Sequence, residues 1–201
     1  MVQSRGSTKR ADAVTNRARI LEVALSVFAE SGPELEMNEI AARAHLGVGT
    51  LYRHFANREE LLRAIVLYAV EDTLAQLRLA VSTSDDPLVS LQALIAAGLH
   101  VQQQYRPLFA VICDPRLAKL RDPSYGQTIR TRFRETVREL IDHGIQVGVF
   151  RDDLDAEMAA VTILGSFTSA ADLLGTSYSL DELTQRLSHL LLTMLTRKAE
   201  K

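Results

Sequence analysis

Residues 39–55 read Glu39-Ile40-Ala41-Ala42-Arg43-Ala44-His45-Leu46-Gly47-Val48-Gly49-Thr50-Leu51-Tyr52-Arg53-His54-Phe55. Helical spacing puts Ile40, Ala41 and Ala44, with Met37 ahead of them, on one face of a short helix. Ala41 is small enough for a second backbone to pack closely there. The pattern breaks from His45 to Gly47. It restarts over Val48 to Phe55, with Leu51 and Phe55 turned inward and Thr50, Tyr52, Arg53 and His54 left outward. Two short helices around a tight turn make a helix-turn-helix, whose second helix offers its N-terminal end and outer face to a DNA major groove. Gly49 lies where a side chain would hold that helix away from DNA.

Local charge agrees with this reading. Residues 41–58 contain Arg43, Arg53 and Arg58 and no Asp or Glu, a local +3. Thr50 and Tyr52 add hydroxyls suited to phosphate oxygens. Arg58 falls at the start of the next helix, where its guanidinium and the N-terminal N–H groups can hold one phosphate together. Thr15, Arg17 and Arg19 are placed to grip the DNA backbone from the start of the first helix. The expected DNA-contacting set is therefore Thr15, Arg17, Arg43, Val48, Gly49, Thr50, Tyr52, Arg53, His54 and Arg58.

The whole chain conceals this. Its 201 residues carry 23 Lys and Arg against 25 Asp and Glu, a net charge of −2. Residues 1–20 hold 5 basic and 1 acidic groups, residues 21–60 hold 3 and 7, and the remainder 15 and 17. A near-neutral body excludes a protein that coats nucleic acid by bulk electrostatics. Grip on DNA has to come from a few placed contacts.

Outward from the motif, helix signals dominate. Ile20, Leu21, Ala24, Val27 and Phe28 stripe a first helix, stopped at Gly32-Pro33. Leu61, Leu62, Ile65, Val66 and Ala69 begin a longer one. Asp86-Pro87 and Asp122-Pro123 place an N-cap acceptor ahead of a first-turn proline. Asp155 opens another helix, and Ser179-Leu-Asp-Glu182 is a capping box. Pro107 breaks the helix that carries Leu91, Ile95 and Leu99. No stretch alternates with the period of a strand. The expectation is an all-α chain of about nine helices: a flexible basic arm over 1–14, a three-helix helix-turn-helix domain over 15–60, and a helical regulatory domain over 61–201.

Composition supports a globular protein, with 47% hydrophobic and 24% charged residues. One cysteine, Cys113, cannot form an intrachain disulfide, so a reducing, cytoplasmic setting is expected. The longest apolar stretch, Leu91 to Val101, is too short for a membrane span, and no membrane partner is expected. No enzyme signature is present. The residues three before His45, His54, His100, His143 and His189 are Ala42, Leu51, Ala97, Leu140 and Arg186, none a carboxylate, so the Glu-x-x-His pairs of a di-iron bundle are missing. Phosphate-loop, nucleophile-elbow and dinucleotide fingerprints are missing too. No catalytic residue, metal or cofactor is expected.

Residues 17–62 resemble the TetR family of bacterial transcriptional regulators. The run that carries the resemblance is Arg17-x-x-Ile20-Leu21-x-x-Ala24, then Phe28-Ala-Glu-x-Gly32, then Met37-x-Glu39-Ile40-Ala41-x-x-Ala44, then Gly47-Val-Gly49-Thr50-Leu51-Tyr52-Arg53-His54-Phe55-x-x-Arg58-Glu59-x-Leu61. The resemblance implies an all-α homodimer, with an N-terminal domain bound to double-stranded operator DNA and a C-terminal domain bound to a small-molecule inducer. It implies a repressor released from its operator when the inducer binds. Two departures stand out. His45 occupies a turn position where the family usually has Gly, so a left-handed backbone is expected under mild strain. Glu36 stands where Ser or Thr often caps the second helix, leaving the capping box with Glu39 incomplete.

Two further sets follow. Polar groups interrupting apolar faces nominate His100, Gln103, Gln104, Tyr105, Phe109, Cys113, Phe133, Val137 and Phe167 for the inducer site. The Arg130, Arg132, Arg134 and Arg138 run, interleaved with Glu135 and Glu139, reads as a solvated face, or else as an anion site. The last two helices lack a clean polar face. Composition alone leaves them as buried core helices or as a subunit interface. Dimerisation in the family usually runs through the last two helices, which nominates Val161, Leu164, Gly165, Thr168, Leu187, Leu190, Leu191 and Met194.

Overall fold

The computed structural model describes residues 5–32, 34–108 and 123–196, with side-chain surroundings for 15–32, 34–108 and 131–196. Among these the secondary structure is helical, without strands. The helices are α1 (Arg5–Ser31), α2 (Met37–Arg43), α3 (Val48–His54), α4 (Arg58–Val81), α5 (Pro87–Gln104), α6 (Pro123–Gln146), α7 (Ala156–Leu174) and α8 (Leu180–Leu195). Residues 106–108 are helical again beyond α5.

Local chemistry explains most helix ends. The Asp86 carboxylate accepts from the Leu88 N–H, with Pro87 in the first turn. The Asp155 carboxylate accepts from the Met158 N–H. Ser179 and Glu182 exchange the two bonds of a capping box. The backbone hydrogen bond pulls the Glu182 carboxyl below the usual range, helped by the Ser179 hydroxyl. Glu36 precedes α2 in extended backbone without a side-chain cap bond, as the incomplete box predicts. Asp122 and Pro33 lie outside the described residues. One expectation is corrected. α1 begins at Arg5, so residues 5–14 continue the helix instead of forming an arm. Lys9, Arg10, Ala11 and Ala13 are good helix formers, and no proline interrupts them.

The chain divides into two compact units, residues 1–69 with 107–122, and residues 70–106 with 123–201. The boundary therefore falls inside α4, not at residue 60. Leu61, Leu62, Ile65 and Ala69 are all buried, and they carry the first unit nine residues past the expected border. In the first unit α1 packs on α2, and α2 on α3. Ile20, Ala24, Phe28, Ile40, Leu51 and Phe55 are fully enclosed.

In the second unit α5 packs against α6, α7 and α8. The core contains Leu77, Leu91, Ile95, Leu99, Val137, Ile141, Ile163, Phe167, Leu183, Leu191 and Leu195. α7 buries Ala160, Ile163 and Phe167 while leaving Met158, Val161, Leu173 and Leu174 exposed. α8 buries Leu183, Leu191 and Leu195 and exposes Leu190 and Met194. By length and composition alone, α7 is apolar enough to cross a bilayer. Here it lies with one face in this core.

Candidate nucleic-acid interface

The turn between α2 and α3 is held by backbone bonds. Ala44 donates to Ile40, His45 to Ala42, and Leu46 to Ala41. Closing the chain that tightly takes residue 45 to φ +54°, the one left-handed non-glycine among the described residues. The His45 ring is exposed. The strain anticipated from its departure from glycine is thus present in the backbone.

α3 follows with Leu51 and Phe55 buried beneath it. Its outer surface carries Val48, 38% exposed, and Tyr52, 48% exposed, beside exposed Gly49 and Arg53. A Cβ built on Gly49 meets no atom within 4 Å. The protein itself therefore does not require glycine there. Thr50 and His54 are half-buried, and the Arg53 guanidinium donates to the Thr50 hydroxyl at 2.9 Å. That bond pre-orders one cation and one hydroxyl on the same surface.

Two of the three cations in the acid-free stretch meet acids through space. Arg43 takes both Glu30 oxygens at 2.8 Å and Glu39 at 2.7 Å. It fastens the end of α1 to α2. Hydrogen bonding to Arg43 holds the exposed Glu30 carboxyl below its usual range, and the same bond raises Arg43. Arg58 meets Glu34 at 3.1 Å. Of Arg43, Arg53 and Arg58, only Arg53 lacks a carboxylate partner among the described residues. The local +3 therefore overstates the field.

α4 is capped by its own neighbours. Asn57 accepts from the Glu60 N–H at 2.9 Å, and the Glu60 carboxylate accepts from the Ala56 N–H at 2.8 Å. Asn57-x-x-Glu60 is a capping-box spacing, so the sequence carried that signal. Arg17 sits 5.1 Å above the Phe55 ring, a cation–π contact joining α1 to the end of α3. Thr15 is exposed on α1 and makes an interaction of its own.

The nominated inducer residues scatter. Val137 and Phe167 lie in the core of the second unit, and Phe133 packs on Val70 and Leu74. Tyr105 is buried, while His100, Gln103 and Gln104 are exposed. Phe109 and Cys113 lie outside the described residues. A groove of about 610 Å³ opens along Arg78, Ser84, Asp85, Arg132, Glu135 and His143, and none of the nine lines it. Arg134 pairs with Glu157 at 2.9 Å and Arg138 with Asp142 at 2.7 Å, so those two cations are spent within the fold.

The nominated interface set divides as well. Val161, Gly165, Thr168, Leu190 and Met194 are exposed, and Leu164 and Leu187 are half-buried. Leu191 is 3% exposed and faces its own core. It leaves the interface set, because it and Leu190 are adjacent in sequence and about 100° apart around the helix.

Comparison with known proteins matches this architecture along most of the chain. Residues 20–65 match the family described as bacterial regulatory proteins, tetR family, and residues 84–195 match the tetracyclin repressor-like C-terminal domain. The HTH-type transcriptional repressor KstR2 of Mycobacterium tuberculosis (strain ATCC 25618 / H37Rv) is 29% identical over 147 residues, 72% of this chain and 74% of that protein. The solved structure of the ketosteroid transcriptional regulator KstR2 of Mycobacterium tuberculosis superposes with a TM-score of 0.68 at 26% identity, over 90% of this chain and 95% of that one. The crystal structure of AibR in complex with isovaleryl coenzyme A and operator DNA shares the fold, with a TM-score of 0.65 at 22% identity, over 90% and 98% of the two chains. The chain belongs to the tetR family of bacterial regulatory proteins, and is a DNA-binding transcriptional regulator and not an enzyme.

Proposed function

We propose that α3 reads the operator and that Val48, Gly49, Thr50, Tyr52, Arg53 and His54 meet the DNA, with Thr15, Arg17, Arg43 and Arg58 on the flanking phosphates. The observation that carries this is the outer surface of α3: an exposed Tyr and Val around a glycine with open space above it. That surface has no role in the core, and it is shaped for another backbone to come close. Arg43 reaches a phosphate only by sharing its guanidinium with Glu30 and Glu39, so its part is chiefly to hold α2 in place.

A homodimer forms through α7 and α8. Of the eleven large apolar side chains exposed among the described residues, six lie on these two helices: Met158, Val161, Leu173, Leu174, Leu190 and Met194. An exposed apolar surface of this kind marks an interaction site. The dimer places two copies of α3 in successive major grooves of a near-palindromic operator. The protein acts in the cytoplasm as a repressor, and a small molecule bound in the second unit releases it. The inducer acts only through its differential affinity for the operator-bound and free conformations. AibR, with the same fold, holds isovaleryl coenzyme A and operator DNA in one structure.

The test selects duplexes from a random-sequence pool with the wild-type chain and compares Tyr52→Ala on the selected duplex. Tyr52 is 48% exposed, so the substitution should weaken binding about tenfold and leave the melting temperature unchanged. Unchanged affinity would remove Tyr52, and with it the outer surface of α3, from the interface.

A further inference from the structure

We propose that the last turn of α5 is a coupling junction, in which Tyr105 clasps α4 while Gln102 and Arg106 clasp α7, so that operator affinity depends on the Tyr105–Asp72 hydrogen bond. The inference deepens the reading above and rests on it. All of its contacts lie inside the second unit.

On the α4 side the junction is a chain of four polar groups. The Tyr105 hydroxyl donates to Asp72 Oδ2 at 2.7 Å. Gln76 Nε2 donates to the same oxygen at 2.6 Å. Gln104 Nε2 donates to the Tyr105 hydroxyl at 3.1 Å, and Gln76 Nε2 also approaches Gln104 Oε1 at 3.4 Å. Tyr105 is only 3% exposed, so these bonds to its hydroxyl are made away from bulk water. Charge-assisted bonds of this length are the stronger kind. Asp72 stands three residues past the point where α4 leaves the first unit, and the same helix begins at Arg58, four residues after α3 ends at His54.

On the α7 side, Gln102 Nε2 donates to the Thr168 hydroxyl at 2.8 Å, and Arg106 Nε lies 3.9 Å from Asp172. One turn earlier, the Phe167 ring packs on Gly98 so closely that any Cβ there would overlap it. α7 is also the helix whose outer surface holds Met158, Val161, Leu173 and Leu174. A five-residue stretch, Gln102 to Arg106, thus touches the helix that enters the DNA-binding unit and the helix proposed to meet the partner subunit. Tyr105 caps α5 two residues before Pro107, so the clasp sits where the regular helix ends. A displacement of α7, or a ligand that takes the Tyr105 hydroxyl for itself, has to be felt at Asp72.

The experiment measures the affinity of the full chain for the duplex selected by wild type, alongside melting temperature and dimer dissociation. Tyr105→Phe removes one oxygen and keeps the buried ring. It should change the duplex Kd about fivefold or more, a typical allosteric coupling, at unchanged dimer dissociation. Asp72→Asn, which keeps an acceptor oxygen and loses the charge, should shift the Kd in the same direction by less, and the double variant should go no further than Tyr105→Phe alone, because both act on one bond. Thr168→Val, on the other side of the junction, should be non-additive with Tyr105→Phe in the duplex Kd. If Tyr105→Phe failed to fold, Asp72→Asn and Thr168→Val alone would carry the test. A Tyr105→Phe protein that melts lower yet binds the duplex within about twofold of wild type would overturn the junction and leave only a structural tyrosine. Additive effects would overturn it too. A wild-type chain that selects no duplex would sink the DNA-binding reading itself, a separate failure.

Discussion

His45 offers a perturbation whose size follows from the backbone. Its φ of +54° lies in the left-handed region, which costs an L-residue about 1–2 kcal/mol and histidine near the lower end of that range. The ring is exposed, so replacing it removes no burial. His45→Gly relieves about 1 kcal/mol in the folded state and gives back about 0.5–1 kcal/mol through the freer unfolded chain. The net effect lies between zero and about +0.5 kcal/mol. His45→Val, with a β-branched side chain at the same φ, adds about 1 kcal/mol of strain. For a chain of this size 1 kcal/mol corresponds to about 2–4 °C. Calorimetry should therefore rank the melting temperatures Gly equal to or above His, and His above Val by about 2–4 °C. Val melting as high as His, or Gly melting well below it, would refute strain at residue 45. Duplex affinity adds a second axis: His45→Gly with both melting temperature and affinity unchanged would leave residue 45 without a role in the turn.

Other outcomes follow from the same geometry. Gly49→Val should leave the melting temperature nearly unchanged, since a Cβ there meets nothing, yet abolish duplex binding; retained binding would place the DNA elsewhere. Arg58→Ala should flatten the plot of log K against log salt by about one unit of slope, and an unchanged slope would remove Arg58 from the phosphate contacts. Glu30 has its carboxyl held low by Arg43, so the stability from that pair is present above the ordinary carboxylate pKa and is lost as pH falls through the depressed folded value. The melting gap between wild type and Glu30→Gln should thus close on acidification, and a gap that stays constant would contradict the pairing. Met194→Glu, on the exposed face of α8, should convert the dimer to a monomer in sedimentation velocity, and an unchanged dimer would move the interface off that face.

What could be read from the chain beforehand was whatever is encoded within about four residues. The turn strain at His45, the absent cap at Glu36, the Asp86, Asp155 and Ser179 caps and the inward Leu51 and Phe55 all follow from local spacing. What escaped depends on distant partners. Arg43 meets Glu30 across 13 residues, Arg58 meets Glu34 across 24, and Tyr105 meets Asp72 across 33. No spacing rule anticipates such pairs, because only the packed fold brings them together. The α8 stripe shows the same limit at close range. Leu190 and Leu191 are both leucine, but one faces solvent and the other the core, and composition cannot choose between them.

The central claim is that α3 presents a sequence-reading surface. The most direct measurement is fluorescence anisotropy of the wild-type chain on the selected duplex and on a scrambled duplex of equal length, at two salt concentrations. Saturable binding of two chains per duplex is expected, about a thousandfold tighter than to the scrambled control at physiological salt, with Tyr52→Ala weakening the specific complex most. Equal affinity for both duplexes, or no binding even at low salt, would contradict it.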